Sequence, residues 1–394
     1  MNHRALIALA SGHFLGDSYA SFLAPLLPAL ILRHGLDLES AGLLAAVFSV
    51  AAHLLQPVWG SLSDRWPGRR FAISGPLLMA VCISSIGLAP NFGLLVLALA
   101  VGGSGMAAFH PEAASLTLRA SEARPSLGMS LFIASGMFGF ALGPVLATGL
   151  VGSFGLRGTA WGFVPGLLGS LVLFKLVPEP GAAIPRATRS PSDELHNLRT
   201  RPLVILWVIS ILRAVVMVGF LTFLPVLFAG RGHSLEVGGR LVTLFLLASA
   251  IGGISGGYLA ETFSAKRVMG ISLAVATPVL VGAIWLGGPW QLGTLFAGGL
   301  LLTASHAVNV SIAQSLAPER AGTVAAFMIG LAMGIAGLLM PVLGNFADVH
   351  GVEKALTLTT FCSALASLLV ISLPAAGPSE AAEAAEASLG PIKI

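Results

Sequence analysis

Charge is what this sequence has least of. Only 10% of its 394 residues are Asp, Glu, Lys or Arg, against about 25% in a soluble domain. So few charges exclude an aqueous surface for a chain of this length, and most of its outer surface has to face lipid. Cysteine is nearly missing too. Cys82 and Cys362 both sit inside apolar runs, which excludes a disulfide framework or a cysteine-built zinc site. The apolar runs are about 20 residues long rather than the ~10-residue alternation of a membrane barrel, so they are helices. A Gly-rich phosphate loop is lacking, and with it any sign of nucleotide use. The net charge of +4 is small and is explained by topology below, without a nucleic-acid partner. No catalytic set, metal centre or cofactor is expected.

What is present is apolar: 56% of the residues are hydrophobic. They fall into twelve spans, roughly 5–32, 41–61, 71–89, 92–117, 126–149, 159–177, 202–229, 237–259, 268–287, 291–313, 322–344 and 355–373. Six spans form an N-terminal half, residues 1–177, and six form a C-terminal half, residues 202–373. Between them, 178–201 carries prolines, arginines and Asp193-Glu194 and reads as a solvated cytoplasmic linker. The low-complexity tail 374–394, with Glu380, Glu383 and Glu386, reads as disordered. The first span lacks a small-residue cleavage site and reads as a retained helix.

The halves repeat. The hairpin Gly60-Ser61-Leu62-Ser63-Asp64-Arg65-Trp66-Pro67-Gly68-Arg69-Arg70 has a worn copy starting at Gly257, with Glu261, Lys266 and Arg267 in place of Asp64, Arg69 and Arg70. The offset is a constant 197 residues, which also maps Pro28 to Pro225 and Pro144 to Pro341. A period of half the chain is the mark of a duplicated unit. With both ends on one side of the membrane, that side receives fifteen of the 21 Lys and Arg, the other five, and Arg213 falls inside a span. The positive-inside rule then places both termini in the cytoplasm.

An ionisable group at bilayer depth costs a few kcal/mol or more and is rare outside functional interiors. The spans hold a short list of such groups. His13 and Asp17 stand four apart, on one helix face. His53 and Gln56 share span 2, His110 and Glu112 span 4, and His306 and Asn309 span 10. Arg213 lies in span 7. By the repeat it maps beside Asp17, so it is either a salt-bridge partner of Asp17 across the pseudo-two-fold or a counter-charge for an anionic substrate. Each group also has a packing reading: core histidines at His53 and His306, helix–helix bonds at Asn309 and Gln56, and a pairing of Glu112 with Arg119. Glycines in span 5 (128, 136, 139, 143) and span 11 (330, 334, 337, 344) allow close helix approach.

Two six-helix halves joined by this hairpin pattern resemble the major facilitator superfamily, on Gly60, Asp64, Arg65, Gly68, Arg69 and Arg70. Within it, Gly103-Ser-Gly-Met-Ala-Ala-Phe-His-Pro-Glu112, the run ending Gly143-Pro144, and Leu316-Ala-Pro-Glu-Arg320 are similar to the fosmidomycin resistance protein group of efflux transporters. The resemblance implies an all-α membrane fold of twelve helices in two pseudo-symmetric halves, with helices 1, 4, 7 and 10 lining a central cavity. Most of the polar list lies on those four. It also implies that the hairpin, together with Glu261 and Arg267, gates the conformational change. Two departures stand out: span 4 lacks the arginine of many proton-driven drug antiporters, and Ala265 replaces the last hairpin glycine of the second copy.

The expected function is a secondary active transporter, not an enzyme. It exports a small organic, drug-like or anionic solute in exchange for protons, as a monomer in a bacterial inner membrane. Proton coupling falls to Asp17, His110 and Glu112. The substrate cavity takes His13, Asp17, His53, His110, Arg213, His306 and Asn309. Uptake or uniport of a metabolite is the same-class alternative. A membrane metal carrier or metalloenzyme is the alternative of another class, because these His, Asp and Glu residues are metal-ligand types without a compact motif.

Overall fold

The computed structural model describes residues 1–66, 68–121, 124–179 and 200–373. Those residues hold twelve helical spans: α1 (His3–His34), α2 (Leu38–Ser63), α3 (Arg70–Leu88), α4 (Phe92–Ser121), α5 (Pro125–Phe154), α6 (Leu156–Leu176), α7 (Arg201–Gly230), α8 (Leu235–Thr262), α9 (Ala265–Trp285), α10 (Gly288–Ser315), α11 (Ala321–His350) and α12 (Val352–Ile371). Each coincides with one of the twelve spans expected from sequence, within a few residues. Most of the expected linker (180–199) and the expected tail (374–394) lie outside the described residues.

Local chemistry sets the helix ends. Asn2 caps α1 by accepting from Ala5 N at 3.2 Å. The span breaks briefly at Ser21 and ends at Gly35, whose φ of 61° closes the helix in the left-handed region. Asp37 caps α2 through Ser40 N at 2.8 Å, and these bonds hold the Asp37 carboxyl below its ordinary range. Two spans contain a π turn, Val50–Leu54 in α2 and Phe327–Leu331 in α11, and the two turns face each other across the halves. Such turns free backbone groups and mark places where a helix can bend.

The duplication is visible in atoms. Arg33 donates to Gly87 O at 2.5 Å, and Arg231 donates to Ile284 O at 2.7 Å, tying the end of the first helix of each half to its third. At the other face, Arg69 donates to Phe174 O at 2.6 Å and to Val177 O, while Lys266 donates to Ile371 O at 2.8 Å and Leu373 O at 2.6 Å. Both hairpin cations thus satisfy the last carbonyls of the sixth helix in their own half, groups that lipid could not satisfy. A Cβ on Gly103 would lie 3.0 Å from Phe48 O and one on Gly299 2.6 Å from Phe245 O, so the second and fourth helices of both halves touch backbone to backbone.

The halves meet through α1–α7, α1–α8, α2–α11 and α5–α8. Among the described residues the tightest approaches of one backbone to the other lie in the membrane half away from the hairpins, while Gly337 against Ser49 and Gly334 against Leu54 carry the α2–α11 contact on through the middle of the bilayer. Gly42 lies against Met340 O, Gly344 against Leu38 O, and Gly239 against Pro144 O and Thr148. Asp348 of α11 accepts from Leu38 N at 2.9 Å and Glu39 N at 3.0 Å, capping α2 of the opposite half, and Asn345 donates to Glu39 at 2.8 Å. On the hairpin side, α4 and α10 pack chiefly within their own halves. The molecule is therefore closed at one end and open at the hairpin end.

Hydrogen bonds to a charged acceptor contribute about 1.5–3 kcal/mol when buried and less at an exposed end such as this. Asp348→Ala should weaken closure by ~1 kcal/mol, about a fivefold shift of population. Spin labels at Leu36 and Val349 would report it as a growing long-distance fraction in pulsed electron resonance. An unchanged distance distribution would show that these bonds do not hold the end shut.

Candidate functional site

The feature that stands out in the open interior is a triad on α1 and α4. His13 and Asp17 share a face of α1, as their spacing requires, and His110 comes from α4. His13 Nε2 lies 3.3 Å from Asp17 Oδ2, His110 Nε2 lies 3.4 Å from Asp17 Oδ1, and the two Nε2 atoms are 3.1 Å apart. His13 is buried, while the Asp17 and His110 side chains keep 14% and 22% of their surface exposed. That exposure is enough for an occupant of the gap between the halves to reach them.

The other ring nitrogens decide the chemistry. His13 Nδ1 is 2.7 Å from Phe132 O, and His110 Nδ1 is 2.9 Å from Met106 O. A carbonyl oxygen only accepts, so each Nδ1 carries its hydrogen. In a neutral imidazole the Nε2 is then a bare lone pair. Two such lone pairs and a carboxylate would converge with nothing between them. The 3.1 Å separation suits one proton shared between the two Nε2 atoms, with Asp17 balancing the charge. Among the described residues these are also the groups whose ligand atoms, all within 4.8 Å of one another, could hold a metal ion.

Helix α5 forms the wall behind the triad. The Phe132 ring stacks on His13 with centroids 4.0 Å apart. A Cβ on Gly136 would fall 2.5 Å from His13 Nε2 and 2.7 Å from Asp17 Oδ2, so glycine is what lets α5 come this close. Sequence reading counted Gly136 only as a packing residue; nothing in a glycine-rich span singles out the position that faces two ionisable groups.

Glu112 is not part of this cluster. Residues two apart point to different sides of a helix, and Glu112 turns to α3. It accepts from Ala72 N at 2.5 Å and from Ser63 Oγ at 3.4 Å, buried to 3% exposure, where it caps the first turn of α3. His53 lies in the π turn of α2, near enough to feel the charges of Asp17 and His110. Gln56 bonds back to Ala52 O at 3.0 Å.

The C-terminal half presents a different set. Arg213 on α7 is buried, has no carboxylate partner among the described residues, and its Nε is without a hydrogen bond. The salt bridge to Asp17 raised by the repeat mapping does not form, because pseudo-equivalent positions lie in separate halves and Asp17 is engaged by the two histidines. His306 lies within reach of the Arg213 charge, and its Nδ1 is unbonded. Asn309 donates to Leu206 O at 3.1 Å and Ser210 Oγ at 2.6 Å, so its amide ties α10 to α7. The position matching His13 is Ser210 and that matching Asp17 is Ala214. The titratable triad therefore belongs to one half and the unpaired cation to the other.

The hairpin residues also stay within their halves in this conformation. Arg69 pairs with Glu179 at 2.9 Å and lies over the Phe174 ring at 5.1 Å. Arg65, Arg70, Glu261 and Arg267 are exposed and have no ion-pair partner among the described residues. Gly60 faces Pro111, and Gly68 is buried beside Glu179. Of Asp64 the backbone alone is described.

Twelve spans in two repeated halves around a polar interior define a membrane transporter. The chain belongs to the Major Facilitator Superfamily, which it matches over residues 9–340. It is a multi-pass secondary transporter of small molecules. It is 30% identical to the fosmidomycin resistance protein of Escherichia coli over 93% of this chain and 92% of that one. It is 26% identical to the cyanate transport protein CynX of the same organism, over 82% and 86%. Among solved structures, a bacterial homologue of the human lysosomal transporter Spinster superposes with a TM-score of 0.81 at 16% identity, covering 93% of this chain and 96% of that one. A variant of the nucleoside transporter NupG superposes at 0.80 and 13% identity, covering 94% and 99%. These likenesses establish the fold.

Overpacking a close helix contact costs typically 1–3 kcal/mol. Gly136→Ala should therefore lower the Tm of the purified protein by several degrees and separate the triad. An unchanged Tm would mean that α5 has room to spare and that Gly136 does not shape the site.

Proposed function

We propose that this transporter exports a small anionic or zwitterionic solute in exchange for a proton, and that the proton is held by His13, His110 and Asp17. The observation that carries the reading is the 3.1 Å approach of two Nε2 atoms whose Nδ1 atoms are both committed to backbone carbonyls. Such a pair has a place for a proton and is strained without one. A substrate hydroxyl or ammonium group entering the triad would supply hydrogen bonds to the same lone pairs. Proton and substrate donor would then compete for one place, which is the linkage an exchanger needs. The anionic end of the solute would meet Arg213, whose charge has no protein partner among the described residues. A desolvated, unpaired guanidinium is costly in the empty state and so favours an anion strongly.

The kinship with a fosmidomycin resistance protein and with multidrug resistance proteins supports export and makes fosmidomycin and other small phosphonates the first compounds to test. The charge asymmetry of the loops supports cytoplasmic termini and an inner-membrane location, with the described conformation then open to the cytoplasm. The chain is read as acting as a monomer. In this reading Glu112 holds α3 in place and takes no part in proton transfer, His53 and His306 border the path, and Asn309 fixes the wall. The hairpin residues Asp64, Arg65, Arg70, Glu261 and Arg267 would find partners across the halves only when the hairpin end closes.

The test is transport in proteoliposomes carrying a pH gradient, with phosphonates supplied and both internal pH and solute followed. Wild-type protein should couple proton flux to solute flux. Asp17→Asn should cut proton-driven transport at least tenfold with Tm preserved. Arg213→Ala should impair anionic solutes more than neutral analogues. Solute flux indifferent to the gradient and to Asp17→Asn would leave uniport. Flux that follows the proton in the same direction would mean uptake. Stoichiometric zinc in the purified protein would replace the proton by a metal.

A further inference from the structure

Arg267, exposed and without an ion-pair partner among the described residues, borders a groove in this conformation. Between α9 and α12, on the outer, lipid-facing side of the C-terminal half and at the hairpin end, lies a groove of about 560 Å³. Ser264, Lys266 and Arg267 line its polar end, and Gly270, Ile271 and Ile371 line the rest. Ile271 and Ile371 are 63% and 70% exposed, so the groove has cations at the membrane surface and an apolar floor running inward.

Comparison with the other half shows what is missing. There the same place is occupied: Arg69 caps α6 and is neutralised by Glu179 at 2.9 Å, whose other oxygen lies beside Gly68. Lys266 repeats the cap on α12 through Ile371 O and Leu373 O. The residue 197 positions beyond Glu179, however, is Ala376. Neither Lys266 nor Arg267 has a carboxylate partner among the described residues. The first turn of α9, which starts at Ala265, adds the partial positive charge of a helix N-terminus to the same spot. Among the described residues the second copy thus holds both cations without the carboxylate that the first copy places beside them.

We propose that an anionic phospholipid replaces it. Its phosphate would sit between Arg267 and the free face of the Lys266 ammonium, near the start of α9, and its acyl chains would follow Ile271 and Ile371 into the bilayer. A basic pocket between helices at the membrane surface is the form such headgroup sites take. The site is separate from the transport path, and the inference stands whatever the solute or the coupling.

Native mass spectrometry of the full chain in detergent tests this, with phosphatidylglycerol and phosphatidylcholine of matched chain length. The wild type should retain phosphatidylglycerol about tenfold better. Arg267→Gln should cut that preference about fivefold, the weight of one cation near a membrane surface. Arg70→Gln, the equivalent change in the half that keeps Glu179, should leave it unchanged. Ile271→Trp, on an exposed position that does not threaten folding, should fill the floor and reduce retention of both lipids. Equal retention of the two lipids by the wild type would overturn the proposal. So would equal losses from Arg267→Gln and Arg70→Gln. Displacement of the lipid by millimolar inorganic phosphate would also overturn it, by showing a free-phosphate site in place of a lipid site.

Discussion

A carboxylate held between two imidazoles, each with its far nitrogen already committed to a carbonyl, is the constraint on which the interior of this protein depends. In the bilayer neither the ring N–H groups nor the carbonyls can be left unpaired. The partners Phe132 O and Met106 O fix both tautomers and aim both Nε2 atoms at one point. Asp17 reaches the same point from one turn below His13. Gly136 lets α5 close the back of the site. Remove any of these and the two Nε2 atoms no longer converge on Asp17.

The duplication explains the scaffold, and its breakage sets apart the polar interior. Both halves use the same devices: an arginine ending the first helix and bonded to the third, a hairpin cation on the sixth, and glycine contacts between the second and fourth. The polar interior is where the copies diverge. Ser210 and Ala214 stand where His13 and Asp17 stand in the first half, and Arg213 is found in the second half alone. One half therefore offers lone pairs and the other a cation. Among the described residues the halves come closest, backbone to backbone, at the end away from the hairpins, through Gly42, Gly239 and Gly344 and the Asp348 cap. A rocking motion about the interior has to break those contacts.

The fold was readable because its signals are long and repeated. Twenty-residue apolar runs, a constant offset and a one-sided charge distribution are each averaged over many residues. The site was readable in part. His13 and Asp17 declare themselves by helical spacing, whereas His110 joins them only through a contact between α1 and α4 that no local pattern encodes. Nearness in sequence groups Glu112 with His110, but two positions along a helix turn its side chain to α3, a direction that only the packed structure shows. The repeat leaves Arg213 two readings, a salt bridge to Asp17 or a counter-charge for an anion, and only the spatial separation of equivalent positions removes the first. Gly136 carried no signal at all, since its role is the absence of a side chain.

The central claim is that His13 and His110 share one proton. Nitrogen NMR of the protein labelled in histidine, with the two rings assigned by difference against His13→Gln and His110→Gln, reads it directly. The account predicts Nδ1 protonated in both rings and a single proton between the two Nε2 atoms, lost from both when either ring is replaced. Two bare Nε2 atoms, or two independently protonated ones unaffected by replacing the partner, would contradict it.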